Sequence, residues 1–232
     1  MISLAGDARV LLQLLRGQPR GADHAANLEA FYGGQAERYD DFRERLLPGR
    51  QELYAGLEIQ PGDRLVELGA GTGRNLAWLG ERVAALGRAD LVDLCGPLLA
   101  QARRRWQGHA NVACHRADAC TWQPETPADI VVFAYSLTMI PDWRGALANA
   151  LAMLRPGGRL AVVDFTLTPD QSGVTRAFWK TWFGHDGVRL ELDHLPTLRR
   201  LLPDHGETLA TTRLPYLPGI AVPYYRFVAR KG

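Results

Sequence analysis

The sequence is poor in lysine and has no long apolar run. Of its 27 basic residues only Lys180 and Lys231 are lysines, and with 25 acidic residues the formal net charge is +2. A net charge this small does not indicate a nucleic-acid partner. No stretch approaches the roughly 18 consecutive apolar residues of a membrane span. We therefore expect a chain that neither binds nucleic acid nor crosses a bilayer.

Cysteine is also scarce, with only Cys95, Cys114 and Cys120. An odd count does not fit the disulfide framework of a secreted domain, and the spacing lacks the close pairs of a zinc site. We interpret the three residues as reduced thiols in a cytoplasmic protein, and we expect no bound metal.

The remaining composition is that of an ordinary globular chain. It has 232 residues, of which 47% are apolar and 22% charged, so one domain can bury a sizeable core. We expect a single domain over 1–232, divided into an N-terminal helical extension (1–30), cap helices (31–62), a cofactor-binding core (63–165), and lid helices with C-terminal strands (166–232). Within the extension, one face of a short helix is marked by Leu4, Ala8, Leu11 and Leu15.

Short apolar runs alternate with helical segments through the middle of the chain. Strands are predicted at Arg64–Leu68, Ala89–Leu94, Val112–Arg116, Ile130–Ala134 and Arg159–Phe165, with helices at Asn75–Leu86, Pro97–Trp106 and Trp143–Leu154. This alternation indicates βαβ units in one parallel sheet. The last third is predicted to hold helices at Val174–Phe183 and His194–Leu202, and strands at Thr208–Leu214 and Tyr224–Arg230.

A glycine-rich turn follows the first predicted strand. It runs through Gly69, Ala70, Gly71, Thr72 and Gly73, where glycine allows a sharp turn and a close approach to a ligand. A dinucleotide fingerprint needs a glycine at its sixth position, but the two frames place Arg74 or Leu76 there. With Glu67 ahead of it and Asn75 behind it, the loop resembles the first motif of the class I methyltransferases that use S-adenosylmethionine. In that family the acidic residue faces the amino group of the methionine moiety. The alternative is a structural turn without a ligand.

Two further carboxylates follow the next two strands. Asp93, with Leu94, ends the second strand about twenty residues after the loop, where a carboxylate can accept hydrogen bonds from both ribose hydroxyls. Asp118 follows the third strand and can accept a hydrogen bond from an adenine amine, while the backbone N–H of Ala119 meets a ring nitrogen. Their simpler alternatives are a helix cap for Asp93 and a turn residue for Asp118.

The segment after the fourth predicted strand, 135–142, should line both the cofactor and the methyl acceptor, because ligands bind beyond the carboxyl ends of parallel strands. We expect Tyr135, Ser136 and Ile140 to contact the cofactor. For Leu137, Met139 and Ile140, ordinary packing is an equally good interpretation.

Several segments resemble the diacylglyceryl homoserine N-methyltransferases of betaine-lipid synthesis. The likeness runs from about Phe31 to the C-terminus and is carried by Tyr39-Asp40 with Arg43, 46–50, 135–142, 163–165, Phe178-Trp179 to Trp182-Phe183, and Pro223-Tyr224-Tyr225 with Arg230-Lys231. Residues 1–30 match nothing in that family, and Ala229 stands where glycine is expected.

The resemblance implies a doubly wound Rossmann-like fold with a mostly parallel seven-stranded sheet whose last strand is antiparallel. It also implies S-adenosylmethionine as cofactor and S-adenosylhomocysteine as product. The aminocarboxypropyl-transferring half found in eukaryotic relatives is absent from the sequence. A separate aminocarboxypropyl transferase would therefore be a functional partner.

The implied reaction methylates the amine of diacylglyceryl homoserine three times to form a betaine lipid. A protonated amine must first lose its proton, and the candidate bases are Tyr135, which its position favours, Tyr39, His185 and Asp186. Aromatic faces attract alkylated ammonium ions, so Tyr39, Tyr135, Tyr224 and Tyr225 are predicted to form such a surface. Arg43 and Arg50 are candidates for binding the acceptor's carboxylate. Each residue alone has an ordinary structural alternative.

A lipid acceptor also requires contact with a membrane surface. Trp179 and Trp182, with Phe178 and Phe183, could form a lipid-facing lid or simply belong to the core. We expect peripheral association at the cytoplasmic face of a membrane. The alternatives are a methyltransferase for a small soluble acceptor or a quinone, and a nonenzymatic protein that binds S-adenosylmethionine.

Overall fold

The computed structural model of the protein describes residues 24–32, 46–214 and 220–232. The helix predicted from Leu4 to Leu15 and the site candidates Tyr39 and Arg43 lie outside these residues. None of the helices in the described ranges is long and apolar enough to span a membrane.

Seven strands form one sheet in the order β3-β2-β1-β4-β5-β7-β6. Their bounds are Arg64–Leu68 (β1), Arg88–Asp93 (β2), Val112–Arg116 (β3), Ala128–Ala134 (β4), Leu154–Phe165 (β5), His205–Arg213 (β6) and Ala221–Arg230 (β7). Strands β1 to β5 pair in parallel, and β7 pairs antiparallel with both β5 and β6. The predicted fold class is confirmed, including the antiparallel last strand.

The helices connect and cover these strands. They span His24–Tyr32 (α1), Arg50–Ala55 (α2), Gly96–Arg105 (α3), Trp143–Met153 (α4), Gly173–His185 (α5) and His194–Leu201 (α6). Two begin with a side-chain cap, in which Asp142 accepts from the backbone N–H of Gly145 and Ser172 from that of Thr175. Such caps satisfy N–H groups that have no partner within the helix.

Two local predictions differ most from the structure. The segment Asn75–Ala85 forms 3₁₀ turns with a break at Gly80 (φ 60°, ψ −134°) instead of one regular helix, because this glycine adopts a backbone conformation outside the helical region. The fifth strand begins at Leu154, five residues earlier than predicted, and includes Gly157 at φ 73°.

The sheet is buried on both faces. Along β4, Ile130 and Val132 pack on one face, while Val131 and Phe133 pack on the other, as the alternation of a strand requires. Helix α5 covers the first face through Trp179 and Phe183.

The first described helix, α1, packs beside the start of α3. Helix α1 crosses the expected boundary between extension and cap, and its Leu28 packs with Cys95 and Leu98 at the start of α3. A salt bridge of 2.7 Å joins Glu29 of α1 to Arg116 at the end of β3. Helix α1 therefore lies over the carboxyl ends of β2 and β3.

Candidate functional site

A cavity of about 420 Å³ opens at the carboxyl ends of β1, β2 and β4. This volume lies within the range of small-molecule sites, roughly 300–1,000 Å³. Strand order reverses between β1 and β4, which is where doubly wound sheets bind ligands. Of the cofactor residues predicted from sequence, those lining the cavity are Gly69, Ala70, Gly71, Thr72, Asn75, Asp93, Leu94, Asp118, Ala119, Tyr135, Ser136 and Ile140.

The glycines of the loop differ in what surrounds them. Gly69 (φ 74°) passes so close to Ser136 that a Cβ would lie 2.3 Å from its Cβ. Gly71 (φ 56°) lines the cavity, and the nearest atom to a Cβ there would be Leu98 Cδ1 at 3.8 Å. The space beside Gly71 is therefore open to a ligand.

Gly73 corrects a sequence prediction, because it is not among the described residues that line the cavity. A Cβ on Gly73 would lie 2.8 Å from Leu91 and 2.9 Å from Trp106 Nε1. The indole N–H of Trp106 also donates to the Gly73 carbonyl at 2.9 Å. Gly73 thus packs the loop against β2 and α3 and does not touch the cofactor space.

Asp93 accepts two backbone hydrogen bonds beside the glycine loop. Its two carboxylate oxygens accept from the backbone N–H groups of Gly71 and Cys95, each at 2.7 Å. Burial raises the pKa of Asp93, while the N–H groups of Cys95 and Gly71 act in the opposite direction. A carboxylate oxygen has more than one acceptor site, so both oxygens keep capacity for ribose hydroxyls.

Glu67 lies behind the cavity wall and acts through Asn75. The Asn75 amide donates to Glu67 Oε1 at 2.7 Å, and the Arg50 guanidinium donates to Asn75 Oδ1 at 3.0 Å. Arg50 and Asn75 line the cavity, but Glu67 is not among the lining residues. Burial raises the pKa of Glu67 to about 7, although Asn75, the nearby Tyr54 hydroxyl and Arg50 lower it. The network brings a carboxylate and a cation to the side of the cavity that the glycine loop borders.

Asp118 and Ser136 are held by contacts of their own. Asp118 is exposed at the cavity, and one of its oxygens accepts from the N–H of Cys120 at 2.8 Å. The Ser136 hydroxyl donates to the carbonyl of Leu68 at 2.6 Å, tying the end of β4 to the end of β1. These contacts hold fixed two cavity walls on opposite sides of the glycine loop.

Tyr135 is the one residue other than glycine with positive φ (57°) among those described. For such a residue this conformation is strained, and strain of this kind clusters at functional sites. Its hydroxyl donates to the Pro48 carbonyl at 2.7 Å. Burial, followed by the charge of Asp164, raises the pKa of Tyr135 well above its usual value. The hydroxyl is thus engaged with Pro48 in this structure, and the role of Tyr135 as the base stays a prediction.

The other predicted acceptor residues are spread over the molecule. His185 and Asp186 end α5 and are not among the described residues that line the cavity. Tyr225 and Trp179 are fully buried, and Tyr225 packs on the face of the sheet opposite Tyr135. Trp179 cannot form part of an acceptor surface, because its indole ring lies in the core with no exposed edge. Tyr225 cannot do so either, because adjacent residues of a strand point to opposite faces of the sheet.

The remaining residues predicted to contact the acceptor are Tyr224, Arg50 and Trp182. Tyr224 lies beside Gly49, where a Cβ would come within 2.8 Å of its ring. Arg50 binds Asn75 beside the glycine loop. Trp182 is 40% exposed on the outside of α5.

Sequence reasoning missed several residues of the cavity. Ala25 and Leu28 reach it from α1 and Leu47 from the segment before α2, whereas Met139, in the turn after β4, belongs to the segment 135–142 that was expected to line it. Asp164 was missed as a support. It is fully buried, accepts from Thr138 N and Thr138 Oγ1 at 3.1 and 2.8 Å, and so anchors that turn. Burial raises the pKa of Asp164 to about 7. Its position directly after an apolar strand run was the available sequence indication.

These residues fit S-adenosylmethionine. The open space beside Gly71 suits a ligand that must approach the backbone closely, and Asp93 has acceptor capacity for a ribose. Glu67, held behind the cavity wall by the Asn75 amide, places a carboxyl group next to the glycine loop, which suits an ammonium group bound on the other side of Asn75. No group of three or more His, Cys, Asp or Glu residues with the spacing of a metal site is found in the described ranges.

Comparison with known proteins gives a family match over most of the chain. The model of a family described as "Methyltransferase domain" matches residues 32–209. A ubiquinone/menaquinone biosynthesis C-methyltransferase UbiE of Teredinibacter turnerae is 28% identical over 166 residues, covering 68% of this chain and 66% of the relative. A 2-phytyl-1,4-naphtoquinone methyltransferase of Thermosynechococcus vestitus is 28% identical over 206 residues, covering 78% and 90%. A trans-aconitate 2-methyltransferase of Rhizobium leguminosarum is 33% identical over 166 residues, covering 69% and 62%.

Solved structures share the fold at low sequence identity. The YcgJ protein of Bacillus subtilis superposes with a TM-score of 0.67 at 14% identity, covering 78% of this chain and 97% of that chain. A phosphoethanolamine N-methyltransferase of Haemonchus contortus, solved with S-adenosylhomocysteine, gives a TM-score of 0.61 at 16% identity, covering 80% and 53%.

Proposed function

Since the chain belongs to the methyltransferase domain family and is an S-adenosylmethionine-dependent methyltransferase, we propose that it methylates a carbon of an apolar hydroquinone. The single observation that carries this proposal is the composition of the cavity wall. Apart from the residues predicted to bind the cofactor, the wall is formed mainly by apolar groups, among them Leu28, Leu47, Leu98 and Met139, with Arg50, Arg74 and Asp142 as its charged members. An apolar wall favours a flat, uncharged ring over an ammonium or a tricarboxylate.

Two relatives support this acceptor class. The Teredinibacter relative is a C-methyltransferase of ubiquinone and menaquinone biosynthesis, and the Thermosynechococcus relative is a 2-phytyl-1,4-naphtoquinone methyltransferase. The Rhizobium relative acts on trans-aconitate, a small polyanion. Among the described residues of the cavity, the cations are Arg50 and Arg74, and Arg50 already binds Asn75. These two cations are fewer than the three carboxylates of that acid, so the arrangement suits a tricarboxylate less well.

The chemistry divides between cofactor and protein. S-adenosylmethionine would supply an electrophilic methyl group when bound, and the acceptor's ring carbon would lose its proton to solvent as it gains that group. The chain's residues hold the reactants in place, since positioning accounts for much of the rate in such displacements. The Ser136–Leu68 and Tyr135–Pro48 hydrogen bonds fix the wall between β1 and β4. Leu28 and Met139, packed on the Cys95 and Leu98 cluster, help to exclude water.

Methylation of diacylglyceryl homoserine is the second candidate, favoured by the sequence segments that resemble that family. Many of those segments lie in the core, since Val163, Asp164 and Tyr225 are fully buried. Residues in such positions support the fold and do not contact an acceptor. The tyrosine surface predicted around the trimethylammonium is also incomplete, because Tyr225 lies on the opposite face of the sheet.

The test compares three acceptors in separate reactions. Purified protein is incubated with methyl-labelled S-adenosylmethionine and a reduced short-chain naphthoquinone, diacylglyceryl homoserine or trans-aconitate, and products are identified by mass spectrometry. We expect one carbon-bound methyl group on the hydroquinone and none on the other two. A labelled lipid amine with an unlabelled quinol would replace the proposal with the second candidate, and labelled trans-aconitate would overturn both. An Asp93→Asn variant serves as the negative control.

A further inference from the structure

One side-chain amide joins a cation and a carboxyl group beside the glycine loop. The Asn75 nitrogen donates to Glu67 Oε1 at 2.7 Å, and the Asn75 oxygen accepts from Arg50 Nη1 at 3.0 Å. Because a guanidinium only donates hydrogen bonds, the amide oxygen must face Arg50 and the nitrogen must face Glu67. Arg50 and Asn75 line the cavity, whereas Glu67 is not among the described residues that do. The wall therefore carries a cation with a carboxyl group directly behind it.

The Arg50 side chain is held in place before any ligand arrives. It is 8% exposed, and its Nε donates to the carbonyl of Leu47 at 3.1 Å. The preceding residue, Gly49, packs so closely on β7 that a Cβ would lie 2.8 Å from the ring of Tyr224. A side chain that is already ordered loses less conformational entropy when it binds a ligand. Arg50 is thus preorganised at the cavity.

A second arginine holds the other end of α2 without reaching the cavity. The Arg82 guanidinium donates to the carbonyls of Tyr54, Ala55 and Leu57 at 3.1, 3.4 and 2.9 Å. Arg82 is not among the described residues that line the cavity. Both arginines therefore support the position of α2, but only Arg50 faces the space for a ligand.

The methionine end of S-adenosylmethionine carries an ammonium and a carboxylate on the same carbon. The ammonium suits Glu67, so the carboxylate needs a cation on the same side of the cavity. Of the two cavity cations, Arg50 shares Asn75 with Glu67, whereas the Arg74 guanidinium lies over the ring of Trp78 at 4.9 Å. A guanidinium also matches the planar shape of a carboxylate. Arg50 is therefore the cation whose place and chemistry fit this group.

We propose that Arg50 binds the carboxylate of the methionine moiety of S-adenosylmethionine. With Glu67 behind Asn75, it would select a cofactor that carries both charged groups of an α-amino acid. The sequence placed Arg50 at the carboxylate of the methyl acceptor. The chemistry is the same here, but the carboxylate belongs to the cofactor. This assignment does not depend on which acceptor is methylated, so its test contains no acceptor.

The test is calorimetric titration with S-adenosylmethionine and with decarboxylated S-adenosylmethionine, which lacks only the carboxylate. The wild type should bind S-adenosylmethionine about 10- to 100-fold more tightly, as expected for a charged hydrogen-bonded pair. Arg50→Gln should lose this preference, because it weakens the binding of S-adenosylmethionine and leaves that of the decarboxylated compound unchanged. Arg50→Lys keeps the charge without the planar fork, so it should retain part of the preference.

The matched control is Arg82→Gln, which removes the other arginine that holds α2. It should unfold at a lower urea concentration than the wild type and keep the wild-type ratio of the two Kd values. Equal weakening of both compounds in Arg50→Gln would show that Arg50 only supports the fold. Loss of the preference in Arg82→Gln as well would lead to the same conclusion.

Two further outcomes would overturn the proposal. Equal affinity of the wild type for both compounds would do so even if no Arg50 variant folds. An unchanged preference in Arg50→Gln, together with a raised KM for diacylglyceryl homoserine, would assign Arg50 to an acceptor carboxylate instead. Failure to methylate a hydroquinone would overturn the proposed function and leave these binding results in place.

Discussion

The hydroxyl of Tyr135 donates a hydrogen bond of 2.7 Å to the carbonyl of Pro48, which lies 87 residues earlier in the chain. The contact joins the residue after β4 to the segment that precedes α2. Because Tyr135 also has a backbone φ of 57°, the surrounding structure must hold the residue in place against local strain. This contact shapes the wall of the cavity, and we interpret it as structural.

Tyr135→Phe tests that interpretation. The change leaves the Pro48 carbonyl without its donor, which should lower the free energy of unfolding by about 1 kcal/mol. Turnover should fall, but the shape of its pH profile should not change. Urea denaturation and a kcat pH profile measure the two effects. Loss of one limb of the pH profile would show that Tyr135 is the base after all.

The two glycines at positions 71 and 73 should respond differently to substitution by alanine. Gly71→Ala places a methyl group in open space at the cavity, so it should weaken cofactor binding with a stability cost of about 1 kcal/mol from the positive φ. Gly73→Ala drives a methyl group into Leu91 and Trp106, so it should cost about 3 kcal/mol or more. Calorimetric titration and thermal unfolding distinguish the two, and equal profiles would contradict separate roles.

Asp93→Asn should weaken S-adenosylmethionine binding by about 10- to 100-fold, the value of one or two hydrogen bonds to a charged acceptor. The amide cannot accept from both Gly71 and Cys95 as the carboxylate does. The matched control is Asp90→Asn on the same strand, where the carboxylate binds Arg88 and His115 away from the cavity. This control should lose stability and keep the wild-type Kd. Similar Kd values for both variants would show that Asp93 does not bind the cofactor.

His194 makes stability depend on pH. Burial lowers its pKa from 6.5 to about 4, and its ring packs on Trp143 at 4.4 Å. Since the folded pKa lies below the unfolded one, the unfolded chain takes up the extra proton as pH falls through this window. The contribution of His194 is therefore present above pH 6.5 and is lost on the way to pH 4, by up to about 3 kcal/mol.

The measurement compares wild type with His194→Gln by denaturant unfolding at several pH values. Glu67 and Asp164, with pKa values raised to about 7, act in the opposite direction. They favour the folded state below their unfolded pKa, and this contribution is lost as pH rises through 7. Only the difference between the two proteins isolates His194. A difference that stays constant from pH 7 to pH 4 would show that the imidazole titrates normally.

Strand and helix positions in the middle of the chain followed from local patterns. The apolar runs of β1, β2 and β4 are buried on both faces, so their composition alone marked them as central parallel strands. The same reasoning located Gly71, Asp93 and Asp118, because each follows a strand whose carboxyl end meets the cavity. These predictions depended only on spacing along the chain.

Predictions that needed contacts between distant segments fared less well. The roles of Gly73 and Tyr135 depend on partners far away in sequence, Trp106 and Pro48. Tyr224 and Tyr225 looked like one aromatic pair, but strand pleating sends them to opposite faces. The family segments around Val163 pointed to an acceptor, although their side chains lie in the core.

The sequence by itself determined the parallel strands and the positions of the residues at their ends, because these depend on short-range periodicity. The resemblance of its motifs to the class I methyltransferases gave the enzyme class and the antiparallel last strand. Only the tertiary structure decided which side chains face the cavity, that Glu67 acts through Asn75 and Arg50, and that α1 closes over the site. The physical reason is that a side chain's burial, its hydrogen-bond partner and its pKa are set by groups brought together from the whole chain. These properties exist only once the sheet and its helices have packed.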